Sequence, residues 1–269
     1  MQKEVLLYNS LYIQEGAMLE TFKTDIPELT GKEKRKVYVY VPDKEGRFPV
    51  LYMFDGHNLF DDEEATYGKS WGLKDYLEDN DVPLIVVGVE CNHHPEKYRY
   101  GGRLSEYSPF DFEDPYFGKV KGRGRKTMEW FTKALKPYID DNYPTLSQRR
   151  YTFIAGSSMG GLMTLYALSE YNDVFSRGAA LSPSVGFAPD KVMEMIYDSK
   201  YRSNTVLYMD YGEKEINYRD TRQIYGEVTS ALIKKKVLVE SRIVPKGEHN
   251  EASWERAIPF FMDILFYRL

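Results

Sequence analysis

The sequence predicts an α/β fold: a mostly parallel central sheet, an antiparallel hairpin at the N-terminal end, and helices on both faces. Three observations carry this reading. Beyond residue 89, apolar strand-like runs alternate with helical periodicity, and strand–helix alternation favours right-handed crossovers and a parallel sheet. Two of the runs, PVLYMF (49–54) and LIVVGV (84–89), are almost continuously apolar, as strands buried on both faces are. A serine flanked by glycines stands at a strand-to-helix junction.

The elements follow in order. Residues 17–24 and 36–41 alternate and carry β-branched and aromatic side chains, the mark of strands. The loop between them contains Pro27 and Gly31, so the two form an antiparallel hairpin. Strands 49–54 and 84–89 come next. Met128, Phe131, Leu135, Tyr138 and Ile139 set a helix over 127–142. Strand 151–155 leads into helix 158–170. Strands are expected at 178–181, 205–210 and 237–244, and helices at 222–234 and 253–265. Residues 92–126, rich in Tyr, Phe, Pro and Gly, fit neither period. Long segments of that kind are often lids or binding loops, so this one either walls a pocket, lid-like, or packs its own aromatics on the surface.

Length and composition bound the function. A chain of 269 residues fits one large α/β domain spanning 1–269. Its 42% apolar and 29% charged residues are ordinary globular usage. A net charge of −5 provides no basic field for nucleic acid or anionic lipid. No apolar run reaches the 20 or so residues of a membrane span. The start, MQKEVLLYNS, lacks the pattern of a signal peptide. The single cysteine, Cys91, excludes an internal disulfide and a cysteine-based zinc site. The expectation is a soluble cytoplasmic protein, as monomer or homodimer, acting on a small molecule.

The chemistry centres on Gly156-Ser157-Ser158-Met159-Gly160, a G-x-S-x-G. A nucleophilic serine must sit on a sharp, strained turn with its hydroxyl exposed above the sheet. Bulk two residues to either side would strike the neighbouring chain, so glycine stands at both places. Serine needs a base. The histidines are His57, His93, His94 and His249, and only His249 follows Ser158. In the order serine, acid, histidine, His249 is the base. The acid should follow a strand between them, where TVLYMDYGEKEINYRD offers Asp210, Glu213, Glu215 and Asp220. Asp210 belongs to the strand register. Glu215, three residues past Gly212, is the favoured acid, to orient the imidazole. An oxyanion hole is expected from the backbone N–H of Met159 and that of His57, in the loop FDGHN. His57 with Asp55 and Asp61 as a metal site is a weaker reading. The adjacent His93 and His94 read as loop residues. The basic run KVKGRGRK (119–126) reads as a solvated loop, or as a device steering an anionic substrate. Protein groups and water suffice, so neither cofactor nor metal is expected.

The segments FPVLYMFDGHN, RLSEYSP at 103–109, FIAGSSMGGLMTLYAL and GEHNEASW together resemble the "Putative esterase" family. That family includes enterochelin and bacillibactin esterases, feruloyl esterases and, more distantly, S-formylglutathione hydrolases and mycolyltransferases. The resemblance runs from about Lys36 to the C-terminus. It implies an α/β-hydrolase fold and carboxylic-ester hydrolysis, with Ser158 as nucleophile and His249 as base. The family's G-x-x-D/E element matches Gly212 to Glu215, which favours Glu215 as acid. Arg103, Tyr107 and Trp71 are the candidate substrate-binding residues. The chain departs from some members in carrying Asp55-Gly56 where they have His-Gly, in its Glu acid, and in lacking length for an extra N-terminal domain. The expected activity is a serine carboxylesterase acting through an acyl-enzyme on a small-molecule, aryl or siderophore-type ester. An acyltransferase, or an inactive binding protein, would share this scaffold.

Overall fold

The computed structural model describes residues 16–31, 33–92, 102–215 and 219–269. The strands are β1 Met18–Thr24, β2 Arg35–Val41, β3 Val50–Phe54, β4 Ile85–Val89, β5 Phe112–Asp114, β6 Gly118–Val120, β7 Thr152–Ser157, β8 Arg177–Leu181, β9 Val206–Gly212 and β10 Leu238–Val244. Eight of them form one sheet in the order β1-β2-β4-β3-β7-β8-β9-β10. The expected hairpin is present: β1 runs antiparallel to β2, from Met18 opposite Val41 to Thr24 opposite Arg35. β2 is antiparallel to β4, and every pairing from β4 to β10 is parallel.

The central strands are buried on both faces, which is why they read as unbroken apolar runs. On β3, Val50, Tyr52 and Phe54 enter one core while Leu51 and Met53 enter the other. β2 divides likewise, Val37 and Val39 against Tyr38 and Tyr40. β10, at one edge, is only partly buried.

The helices are α1 Leu73–Asp79, α2 Arg103–Glu106, α3 Gly124–Trp130, α4 Lys136–Asn142, α5 Met159–Glu170, α6 Pro189–Asp198, α7 Arg219–Lys234, α8 Glu251–Glu255 and α9 Ile258–Phe266. A π-helical segment, Phe131–Leu135, joins α3 to α4. Met128, Phe131, Ile139, Met163, Ile196 and Val228 pack against one face of the sheet. Leu73, Leu77, Trp254, Phe261 and Leu265 pack against the other. No helix among the described residues is long and apolar enough to cross a membrane.

Four elements depart from expectation. α1 and α6 were not foreseen, although Leu73 and Leu77 share the buried side of α1 and Val192, Met195 and Ile196 that of α6. The last helix is two helices, because Pro259 occupies the first turn of α9, where a residue without an N–H starts a helix rather than continuing one. The segment expected to be a loop over 92–126 carries, in its described part, α2, the β5–β6 hairpin and the start of α3. It is pinned to the body rather than laid over it. Arg35 and Glu106 form a buried salt bridge at 2.8 Å, and Phe112 stacks on Phe187 with ring centroids 4.8 Å apart. His93 and His94 lie outside the described residues.

Close backbone approach sets the position of the loop after β3. A Cβ on Gly56 would sit 2.5 Å from the carbonyl carbon of Gly88 in β4, and one on Gly88 would sit 2.9 Å from Gly56 Cα. Gly88→Ala is therefore expected to lower stability by about 1–3 kcal/mol. Gly226, exposed inside α7, has no neighbour within 4 Å of the position its Cβ would take. Gly226→Ala should raise stability by roughly 0.5–1 kcal/mol. Urea-denaturation midpoints read both changes, and a wild-type midpoint for Gly88→Ala would contradict the contact.

Candidate active site

Ser158 stands between β7 and α5 at φ 58°, ψ −121°, a conformation that L-residues rarely adopt and that clusters at functional sites. The glycines around it allow this turn. A Cβ on Gly156 would lie 2.8 Å from the carbonyl carbon of Gly160, and one on Gly160 would lie 3.0 Å from Phe54 Cβ. The elbow is held by backbone bonds from Ser158 N–H to Leu181 O (2.9 Å) and from Ser184 N–H to Ser158 O (3.0 Å). The Ser158 hydroxyl lies 3.3 Å from that of Ser184. No hydrogen bond joins it to His249 among the described residues, and such bonds are often long before substrate arrives.

Glu215 follows β9 and His249 follows β10, and a glycine contact draws the two loops together. A Cβ on Gly212 would sit 2.4 Å from Gly247 backbone atoms. The result is a contact of 2.5 Å between His249 Nδ1 and Glu215 Oε2. The other Glu215 oxygen, Oε1, accepts from Ser182 Oγ–H (2.7 Å) and Gly212 N–H (2.8 Å). Burial opposes the charge on Glu215, but His249, Ser182 and Gly212 hold its carboxyl below the usual range. The His249 ring stands edge-on to Trp254 at 5.2 Å, while half of the side chain stays exposed.

The other candidate acids are engaged elsewhere. Asp210 is buried and accepts from the Tyr208 hydroxyl (2.8 Å) and Ser182 N–H (3.3 Å). Burial pushes its carboxyl up to about 7. Glu213 accepts from Lys246 N–H at 2.8 Å, and Asp220 is exposed on α7. Sequence reasoning missed Ser182. Its hydroxyl donates to Glu215 and accepts from Trp254 Nε1–H at 3.2 Å, so it ties Glu215 to the wall beneath His249. Its φ of 44° is a feature that no local sequence pattern announced.

Across the cavity, Asp55 takes a left-handed conformation (φ 57°, ψ 48°) and begins a tight turn over Gly56–Asn58. Both Asp55 oxygens accept from Arg103, each at 2.7 Å, and Asp55 N–H donates to the Tyr107 hydroxyl at 3.2 Å. Burial disfavours the Asp55 charge, yet Arg103 holds the carboxyl below its ordinary value. Met159 is the first residue of α5, so its N–H has no acceptor within the helix. A cavity of about 440 Å³ is lined by Ser158, His249, His57, Asn58, Arg103 and Trp254 among others. A smaller one of about 270 Å³, with Pro183, Val185, Phe187, Tyr211 and Ile224 in its wall, reaches His249 from the other side.

The structure thus brings Ser158, His249, His57 and Arg103 to one cavity, with Glu215 behind His249. Two of the expected substrate-binding residues lie elsewhere. Trp71 is buried against Trp254 and Phe261, at 5.9 and 6.3 Å between rings. Tyr107 is buried edge-on to Phe54 at 5.0 Å. Both are too large and apolar to be left uncovered, and they support the wall instead of forming it. The weaker metal reading changes partner: Asp55, His57 and Cys91 carry donor atoms within 4.8 Å of one another. The Arg103 guanidinium already neutralises Asp55, and burial pushes the Cys91 thiol up toward its protonated form, so these donors suit a cation poorly. In the basic run, Arg123 donates to the Glu28 carbonyl at 3.2 Å and Lys126 pairs with the Glu28 carboxylate.

The model of the family described as "Putative esterase" matches residues 29–261. An uncharacterized protein of Bacillus subtilis (strain 168), YbbA, is 24% identical over 221 residues, 79% of each chain. Among solved structures, the BES protein from Bacillus cereus aligns with a TM-score of 0.70 at 16% identity, over 97% of this chain and 98% of that one. The enterobactin and salmochelin hydrolase IroE aligns at 0.68 and 19% identity, over 93% and 96%. S-formylglutathione hydrolase from Staphylococcus aureus aligns at 0.63 and 16% identity, over 94% and 99%. With the family model spanning most of its length and the sheet described above, the chain belongs to this esterase family and is a carboxylic-ester hydrolase of α/β-hydrolase fold.

Proposed function

We propose that the protein is a serine esterase in which Ser158, His249 and Glu215 form the catalytic triad. The observation that carries this reading is the 2.5 Å contact between His249 Nδ1 and a carboxylate oxygen of the partly buried Glu215, beside the cavity that Ser158 enters. His249 Nε2 takes the Ser158 proton as Oγ attacks the ester carbonyl. The negative charge on the former carbonyl oxygen is met by the N–H groups of Met159 and His57. Collapse of the tetrahedral adduct releases the alcohol, which takes its proton from His249, and leaves an acyl-serine. Water, deprotonated by the same imidazole, then frees the acid. Glu215 keeps Nδ1 protonated and stabilises the imidazolium. Arg103 is a positioning residue here: by fixing Asp55 it sets the turn that presents the His57 N–H.

The substrate class we favour is a small ester with an aromatic part, acted on in the cytoplasm. The apolar cavity beside His249, walled by Phe187 and Tyr211, supports it. Two structural neighbours are named as a ferulic acid esterase and an enterobactin and salmochelin hydrolase.

Ser158→Ala should lower kcat on a p-nitrophenyl ester by several orders of magnitude, and full retained activity would end the proposal. Glu215→Gln should lower kcat by about 10²–10⁴-fold with little change in KM. A variant within a few-fold of wild type would remove Glu215 from the triad.

Arg103→Met leaves Asp55 as a lone buried charge and should cost about 3–5 kcal/mol at pH 7. The sign with pH differs between the two proteins. In the wild type the depressed Asp55 contributes stability above its unfolded value of about 3.9, lost as pH falls through the folded value. In the variant burial raises Asp55 instead, so acidification from pH 7 to 5 should narrow the deficit. Urea denaturation at both pH values measures this, and a deficit that widens on acidification would contradict the role given to the pair.

A further inference from the structure

The opposite ends of the strands hold a further cavity, of about 310 Å³, with Arg149, Arg150, Arg177, Lys236 and Arg268 in its wall. It opens where β7, β8, β9 and β10 begin: Arg149 and Arg150 precede β7, Arg177 starts β8, and Lys236 precedes β10. The catalytic loops leave the other ends of these parallel strands. A strand of six residues separates the two sites by roughly 20 Å.

The charge in this wall is unbalanced. No Asp or Glu lines the cavity, and none forms a salt bridge with these five cations among the described residues. Arg177 is 4% exposed. Its NH1 donates to the carbonyls of Leu265 (3.0 Å) and Tyr267 (2.7 Å) at the end of α9, but its buried Nε has no partner. Burial, with Arg150 and Arg149 alongside, holds the Arg177 guanidinium below its ordinary value. Asn172 and Thr205 fix Arg149, the latter at 2.9 Å. A buried guanidinium without an anionic partner is costly, and planar N–H forks match phosphate oxygens bidentately. Val206, Leu238 and Tyr267 add apolar wall beside the cations.

We propose that this cavity binds a phosphorylated small molecule, with Arg149, Arg150, Arg177 and Lys236 on the phosphate and the apolar wall against the organic part. The test is calorimetric titration of the full chain with pyrophosphate and, separately, adenosine diphosphate. Saturable one-to-one binding is expected, weakened by salt, with the organic phosphate tighter; equal affinities would restrict the site to the phosphate group alone and overturn the role of the apolar wall. Arg150 and Lys236 are exposed, and Lys236 has φ 65°, which Asn tolerates. The variant carrying Arg150→Glu and Lys236→Asn should lose at least about tenfold in affinity while its esterase rate stays at the wild-type level. Arg268→Gln gives a second reading, a smaller loss, should the double variant fail to fold. Absence of saturable binding by either ligand, or equal affinity in wild type and variants, would overturn the proposal.

Discussion

Three pairs of glycines in close contact set the turn at Ser158, the turn after β3 and the loops that carry Glu215 and His249. Gly156 and Gly160 close the elbow beneath Ser158. Gly56 and Gly88 seat the turn after β3, and Gly212 and Gly247 lock the Glu215 loop against the His249 loop. A Cβ on Gly156, Gly56, Gly88, Gly212 or Gly247 would fall within 3.0 Å of main-chain atoms, and one on Gly160 would meet Phe54 Cβ at 3.0 Å, so a side chain at any of these places would displace its neighbour. The geometry of the proposed triad is in this sense a packing result. Loops that leave different strands converge because nothing stands between their backbones.

Electrostatics completes what packing begins. Glu215 is held charged by three donors, one of them the His249 ring that the proposed mechanism has it orient. Asp210, five residues earlier and more deeply buried, is pushed toward neutrality and serves the strand and Ser182. Two carboxylates on one short segment therefore separate into one that can balance an imidazolium and one that structures its surroundings. Ser182 links them, donating its hydroxyl to Glu215 and its N–H to Asp210. On the facing side the Arg103 and Asp55 pair performs the comparable task for the turn at His57.

Much of this was legible in the sequence. The near-continuous runs of β3 and β4 announced strands buried on both faces, and alternation of strand and helix gave the parallel sheet. G-x-S-x-G marked Ser158, since only that spacing relieves the elbow. His249 followed from chain order. Glu215 could be favoured over its neighbours only through its spacing from Gly212, because the packing of Gly212 on Gly247 involves residues 35 positions apart. The same limit hid the burial of Trp71 and Tyr107. An aromatic beside a catalytic segment can wall a pocket or support the wall, and the choice depends on what tertiary packing lays over it. The hairpin at 112–120 escaped notice because its strands have three residues each, too few to show a period.

The most direct measurement is the intact mass of the protein after treatment with a fluorophosphonate, followed by peptide mapping. The triad predicts one covalent adduct, on Ser158, formed quickly in the wild type and strongly slowed in His249→Ala. An adduct on another residue, or labelling of Ser158 at the same rate without His249, would contradict it.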